Sequence, residues 1–188
     1  MTSKYDKTGP YFNKYRIDFD SDEELEFWCW LKEAEKYGLV SDIKYQPPAF
    51  KLSDRATIKF DKHMKTKIST VNKFILHPHE YTPDFYFVIE SIKIKKLNFF
   101  IENNGKHNDY MIVDVKGGFN KFGDPKQFSI NQKWVFAKFG YYVQKVVPAK
   151  LFKASFVPEI ARLTPKIKKP VEKYRGVLSI SEFVGVRQ

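Results

Sequence analysis

The chain has 188 residues, of which 43% are hydrophobic and 17% aromatic, and this apolar content excludes a fully disordered protein. Its 33 Lys and Arg outnumber its 22 Asp and Glu, so the net charge is +11 and the expected partners are polyanions. No apolar run reaches the roughly 18 residues of a membrane-spanning helix. The N-terminus lacks the apolar segment of a signal peptide, and the single cysteine excludes an internal disulfide. We therefore expect a single domain over residues 1–188, cytoplasmic, away from the membrane and in contact with nucleic acid.

The first half of the chain predicts one helix followed by strands. Ser21 is a suitable N-cap, acidic residues fill the next turn, and Gly38 is a plausible stop. Residues 39–50 have the composition of a strand and a turn. The basic stretch 51–73 has alternating apolar positions, which predicts a hairpin or ribbon.

The second half alternates further strands with helices. Pro125 at a first helical position and Gly140 as a stop predict a helix over 125–139. A short helix is predicted at 158–163. Strands are predicted at 81–89, 97–101, 111–116 and 141–147, with a weak strand at 177–180. This order of elements predicts an α/β fold with a central mixed β-sheet flanked by helices.

Four polar residues stand in these elements where apolar residues would be usual. Asp84 opens an aromatic strand, Asp114 and Lys116 share one face of another, and Glu24 lies on the first helix. Carboxylates from three elements are the hard oxygen ligands that Mg²⁺ prefers, and the main-chain carbonyl of Val115 is a natural additional ligand. A lysine beside them can orient the attacking water and stabilise charge on a phosphate. The set predicts hydrolysis of a phosphodiester with Mg²⁺ as cofactor, for which Mn²⁺ should substitute.

Each of these residues also has a structural interpretation. Glu24 lies three residues after Ser21 and would complete a capping box. Asp84 would be a turn residue after proline. Asp114 and Lys116 would be an ion pair on a solvated strand face.

The arrangement resembles the active-site motif of the PD-(D/E)xK nuclease superfamily. Pro83-Asp84 matches its first half, Asp114-Val115-Lys116 matches its second half, and Glu24 matches its helical acidic residue. Within the superfamily, the chain resembles small phage-encoded nucleases related to Holliday-junction resolvases. That narrower resemblance is carried by Phe19-Asp20-Ser21, Phe27-Trp28-Cys29-Trp30-Leu31-Lys32, Gln46-Pro47, Tyr81-Thr82-Pro83-Asp84-Phe85 and Asp114-Val115-Lys116-Gly117.

The resemblance covers about residues 18–147 and implies a restriction-endonuclease-like core. The stretches 51–81 and 89–111 are longer than expected of that family, which is interpreted either as basic, DNA-binding insertions or as the sign of a different nuclease branch. Residues 148–188 form a C-terminal extension without a counterpart.

The resemblance also implies an activity and its partners. It implies a structure-specific endodeoxyribonuclease of phage recombination or genome processing, most plausibly a Holliday-junction resolvase in the host-cell cytoplasm. Cutting two opposed strands requires two active sites and hence a homodimer. Gln132 or Lys133 on the second helix would be auxiliary residues near the scissile phosphate, whereas their structural interpretation is a solvated helix face.

Clusters of lysines are the candidates for phosphate contacts, which give affinity without sequence information. No zinc-finger or helix-turn-helix pattern is present, so recognition of branched DNA by shape is expected. The alternatives are a transposition- or restriction-type endonuclease with the same core, and a catalytically silent DNA-binding module. The candidate lysines are Lys59, Lys62, Lys65, Lys67 and Lys73 in the first insertion and Lys93, Lys95 and Lys96 in the second.

Overall fold

The computed structural model describes residues 5, 17–101, 110–117, 125–166 and 168–185. The helices are α1 (Asp22–Lys36), α2 (Ile92–Lys95), α3 (Pro125–Phe139), α4 (Pro148–Ala154), α5 (Glu159–Arg162) and α6 (Ile180–Val184). The strands are β1 (Val40–Tyr45), β2 (Phe50–Ser53), β3 (Ala56–His63), β4 (Ile68–Leu76), β5 (His79–Tyr81), β6 (Phe85–Ile89), β7 (Tyr110–Val115) and β8 (Val143–Val146). None of the helices in these ranges is both long and apolar enough to cross a membrane.

A four-stranded sheet of order β1-β6-β7-β8 lies at the centre of the molecule. The pairs β1/β6 and β6/β7 are antiparallel, whereas β7/β8 is parallel. The parallel pair is joined by a crossover that contains α3, as parallel pairing requires. The prediction of an α/β fold with a mixed sheet and flanking helices is confirmed.

Helices cover both faces of this sheet because β6 and β7 are apolar on both sides. On one face, Phe27 and Leu31 of α1 share a buried cluster with Phe85 and Val113, and the Phe27 ring packs on that of Phe85. The opposite face forms a smaller cluster with α3 and the β2/β5 pair. That cluster consists of Leu52, Tyr81, Ile112, Val135 and Val143. The sheet is therefore the middle layer between two layers of side chains, which is stable because each face is shielded from water.

The C-terminal extension shares the core of the α1 face. Phe156 is fully buried and stacks on Trp30, with ring centroids 5.2 Å apart. Trp30 Nε1 donates a 3.1 Å hydrogen bond to Ser155 Oγ, so the polar atom of this buried ring is satisfied. Leu151 and Phe152 of α4 lie in the same cluster. The extension thus completes the hydrophobic core instead of standing apart from it.

The helix predictions near α1, α3 and α5 are confirmed, and two strand predictions are wrong. Residues 97–101 form no strand: α2 precedes them, and Asn98 has a φ of 51°, which breaks an extended backbone. Phe100 is nevertheless buried, packed on Trp30 and Phe87. Residues 177–180 are not a strand either, since Ser179 caps α6.

The predicted hairpin in the first insertion is confirmed as β3 and β4, which pair antiparallel from Ala56↔Leu76 to His63↔Ile68. Its strands continue into β2 and β5, which pair with each other as Phe50↔Tyr81 and Lys51↔Glu80. The two ladders together form a β-hairpin arm whose base is β2/β5 and whose outer part is β3/β4.

Candidate active site

The register of β6 and β7 brings two of the predicted carboxylates together. The ladder ends at Phe85↔Val113, and one further step along it places Asp84 opposite Asp114. Asp84 Oδ2 accepts a hydrogen bond of 2.6 Å from the backbone N–H of Val115. This bond ties the residue after Pro83 to the neighbouring strand.

Asp114 is buried, with 4% of its surface exposed, on the face of β7 opposite to Val113 and Val115. Its Oδ2 accepts a 2.6 Å hydrogen bond from the hydroxyl of Tyr81, and its Oδ1 forms an ion pair with Lys116 Nζ. The prediction that Asp114 and Lys116 share a face is confirmed by this pair. The alternative of a solvated strand face is wrong for Asp114.

Glu24 comes to the same end of the sheet from the first turn of α1. Ser21 Oγ accepts from the Glu24 N–H at 3.2 Å and donates to Glu24 Oε1 at 2.9 Å, so Ser21 caps the helix, while the Glu24 side chain accepts from the Asp20 N–H at 3.3 Å. Tyr45 OH donates to Oε2 at 2.8 Å. Burial raises the pKa of Glu24 despite these hydrogen bonds. Glu24 therefore contacts the N-cap residue Ser21 and also lies near the aspartates.

The four groups act on one another electrostatically. Burial raises the pKa of Asp84 to about 8, and the carboxylates of Asp114 and Glu24 add to the rise. Burial on its own would lower the pKa of the Lys116 ammonium, but its pairing with Asp114 and the nearby Asp84 and Glu24 outweigh burial and raise it. All four predicted residues thus lie within Coulombic reach of each other.

The raised pKa of Asp84 predicts that Asp84→Asn stabilises the metal-free protein at alkaline pH. The folded-state pKa lies above the ordinary value, so the contribution of Asp84 to stability is fully present below about pH 4 and is lost as the pH rises through about 8. In EDTA we expect the variant to be more stable than wild type by on the order of 2 kcal/mol at about pH 9, and nearly equal at about pH 4. Urea unfolding at both pH values measures this difference.

The matched control is Asp42→Asn, an exposed aspartate on β1. Its stability should follow that of wild type at both pH values. An Asp84→Asn protein that is less stable than wild type at alkaline pH would show that the fold stabilises the ionised form of Asp84, which contradicts a raised pKa.

The donor set suits a hard divalent cation. Among the residues that the structure describes, no group of three or more His, Cys, Asp or Glu side chains is already close enough together to hold a metal ion. Burial and then the neighbouring carboxylates raise the pKa of Asp84, and a divalent cation bound there would offset both the burial of charge and the repulsion from Asp114. Glu24 already holds Ser21 and Tyr45, so a contact through water disturbs it least.

Three residues without a predicted role hold the site in place. Tyr81 fixes the orientation of Asp114, and Tyr45 fixes that of Glu24. The N–H of Gln46 donates to the Asp84 carbonyl at 2.8 Å, and its Nε2 donates to Asp20 Oδ2 at 3.1 Å. Tyr81 and Gln46 could have been found from the sequence, because they belong to the motifs Tyr81-Thr82-Pro83-Asp84 and Gln46-Pro47. Their contacts with Asp114 and Asp84 could not be predicted from residue spacing.

The two predicted auxiliary residues on α3, Gln132 and Lys133, differ in burial. Gln132 is half-buried and its Nε2 donates to the Val143 carbonyl at 2.6 Å, so its amide ties α3 to β8. Lys133 is exposed. The buried amide of this helix is Asn131, whose Oδ1 lies 2.8 Å from His79 Nε2 on β5.

Comparisons with protein-family models, curated proteins and solved structures found no match to this chain.

The candidate DNA-binding lysines fall into two places. The first group lies on the outer part of the hairpin arm and is exposed. Lys93 and Lys95 belong to α2, and Lys96 caps its end. Lys93 Nζ donates to the Val184 carbonyl at 2.6 Å, so this lysine also holds α2 to the C-terminal extension.

Proposed function

We propose that the chain is a Mg²⁺-dependent endonuclease that hydrolyses phosphodiester bonds of DNA on a restriction-endonuclease-like core. The observation that supports the proposal is the meeting of two aspartates, Glu24 and Lys116 at one end of the central sheet. Burial and the neighbouring carboxylates of Asp114 and Glu24 raise the pKa of Asp84, and an ionised carboxylate held in that position destabilises a fold. Their presence together is therefore better explained by chemistry than by structure.

The roles of the residues follow from their contacts. When bound, Mg²⁺ supplies positive charge at the scissile phosphate and makes water a stronger nucleophile near neutral pH. Asp84, Asp114 and the Val115 carbonyl would hold it, with Glu24 as a further ligand or a water-mediated one. The Lys116 ammonium, paired with Asp114, would orient the water and stabilise the charge that develops on the phosphate.

The substrate class is inferred from charge and from sequence patterns. A net charge of +11 favours a polyanion, and the chain has no sequence pattern of a zinc finger or helix-turn-helix. We infer recognition by DNA shape, with a Holliday junction as the preferred substrate and a homodimer, in the cytoplasm, as the active form.

A cleavage assay on matched substrates tests the proposal. The panel is a four-way junction, a flap, a linear duplex and a single strand of shared sequence, with Mg²⁺, Mn²⁺ or EDTA. We expect paired, symmetric cuts in the junction that require the metal. The Asp114→Asn protein, purified in parallel, controls for contaminating nucleases.

The other outcomes separate the alternatives. Cutting of the duplex or single strand would reject the resolvase and favour a restriction- or transposition-type endonuclease. No cutting of any substrate, together with tight DNA binding, would reject the nuclease in favour of a silent DNA-binding module.

A further inference from the structure

The outer part of the hairpin arm is a two-stranded ribbon without a hydrophobic core of its own. Every residue of β3 and β4 is exposed except Ala56 and Ser69, which are half-buried. A two-stranded hairpin that packs on nothing is marginally stable in water. A ligand that covers the ribbon would therefore stabilise it.

The two faces of the ribbon differ, because residues opposite each other in an antiparallel pair lie on the same side. Ile58, Phe60 and Val71 share one face, with 50%, 43% and 36% of their surfaces exposed. None of the three belongs to either hydrophobic cluster of the described residues. Lys62 and Lys73 share this face, one towards each end of the apolar triad.

The opposite face is more polar and partly covered. Asp61 accepts a 2.6 Å hydrogen bond from Thr70 across the strands. Phe74 on that face lies beneath the Arg55 guanidinium, 5.4 Å from its ring centroid, and beside the His77 ring at 4.4 Å. Ile68 on that face is 62% exposed, but polar residues surround it, so among the described residues the face with the apolar triad has the continuous exposed apolar surface.

The base of the arm is joined directly to the candidate active site. Tyr81, the last residue of β5, donates to Asp114, so the base of the arm directly contacts a proposed metal ligand. On the other strand, Lys138 Nζ of α3 donates to the carbonyls of Lys51 and Leu52 at 2.9 and 3.2 Å. These contacts fix the root of the arm relative to the site.

We propose that the ribbon docks in the major groove of duplex DNA, with the apolar triad facing the base edges and the lysines contacting the flanking phosphates. The proposal rests on the proposed function, because the bound duplex would be an arm of the DNA that the site cleaves. A major groove about 12 Å wide admits a two-stranded ribbon, and apolar side chains contact thymine methyl groups there.

The positive charge of the ribbon indicates which kind of partner covers it. Between Arg55 and Leu76 the chain has six Lys or Arg residues and one carboxylate. A polyanion complements this charge, whereas a second copy of the ribbon would bring the same cations against it.

The test is duplex binding by an Asp114→Asn protein in EDTA, followed by fluorescence anisotropy. Replacing Ile58, Phe60 and Val71 by Thr keeps every charge and the strand propensity. We expect the triple variant to bind an A·T-containing duplex about tenfold or more weakly, with an unchanged salt slope. Lys62→Ala with Lys73→Ala should instead reduce that slope by about 2.

Controls separate docking from other effects. Ile92→Thr removes an isoleucine of α2 that is 60% exposed, more than any residue of the apolar triad, and should leave affinity unchanged. Phe60→Thr alone serves if circular dichroism shows the triple variant to be unfolded. Methyl green, a major-groove ligand, should compete with the protein, whereas competition by the minor-groove ligand netropsin instead would overturn the proposal.

The proposal fails independently of the nuclease proposal. Unchanged DNA affinity of the triple variant would overturn it, and so would a change confined to self-association in sedimentation or to binding of anionic vesicles. Mn²⁺-dependent hydrolysis of thymidine 5′-p-nitrophenyl phosphate by the wild-type chain tests the catalytic site without the ribbon. If that hydrolysis and cutting of every DNA substrate are absent while the triple variant loses DNA binding, the nuclease proposal is wrong and the ribbon proposal stands.

Discussion

Asp114→Asn should reduce Mg²⁺-dependent DNA cleavage by about a thousandfold or more, which corresponds to ~4 kcal/mol of transition-state stabilisation. The asparagine keeps the shape of the side chain and an oxygen that can accept from Tyr81. It removes the negative charge that would bind the metal and that pairs with Lys116. The loss should therefore fall on the rate of cleavage at saturating DNA, measured in single-turnover assays.

Asp42→Asn is the matched control for this variant. Asp42 is an exposed aspartate whose φ of 46° an asparagine also adopts readily. It should cleave within about twofold of wild type. Cleavage by Asp114→Asn within tenfold of the control would show that Asp114 does not belong to the site.

Phe156→Ala should destabilise the protein by about 3–5 kcal/mol, because it leaves a cavity in a core that the extension completes. Phe156 is fully buried, stacks on Trp30 and contacts the Phe183 ring at 5.7 Å. Urea unfolding followed by circular dichroism measures the free energy of unfolding.

Phe136→Ala on α3 is the control, since 57% of Phe136 is exposed and its loss should cost less than about 1 kcal/mol. Ser155→Ala, which removes the acceptor of Trp30 Nε1, gives a milder variant with an expected loss of about 1 kcal/mol if Phe156→Ala does not fold. A loss below about 1 kcal/mol for Phe156→Ala would show that the extension does not form part of the core.

Local sequence signals predicted much of the fold because they act within a few residues. Ser21 and the acidic residues after it define the start of α1, and Pro125 with Gly140 bounds α3. The same capping signal was present at Ser179 and Glu182, where a strand was predicted although the two residues form a capping box.

The wrong strand at 97–101 has a different cause. Phe100 is buried and Leu97 and Phe99 are half-buried, whereas Ile101 is exposed, and Phe100 reaches the core from an irregular loop. Burial without regular alternation does not distinguish a strand from a packed loop. Tertiary contacts with Trp30 and Phe87 decide the conformation there.

The candidate site was predictable as a set of residues but not as a geometry. The motif positions indicated Asp84, Asp114, Lys116 and Glu24, and period-two alternation put the second and third on one face. That Asp84 stands opposite Asp114 depends on the register of β6 and β7, which a motif does not encode. The motif also did not indicate the contact of Gln132, whose side-chain amide donates to the Val143 carbonyl of β8.

The most direct test of the central claim is calorimetric titration of Mn²⁺ into the wild-type and Asp114→Asn proteins without DNA, near pH 8. If Glu24, Asp84 and Asp114 form a divalent-cation site, the wild type should bind Mn²⁺ with release of a proton from Asp84. The variant should lose that binding. Equal Mn²⁺ binding by both proteins, or none by the wild type, would contradict the claim.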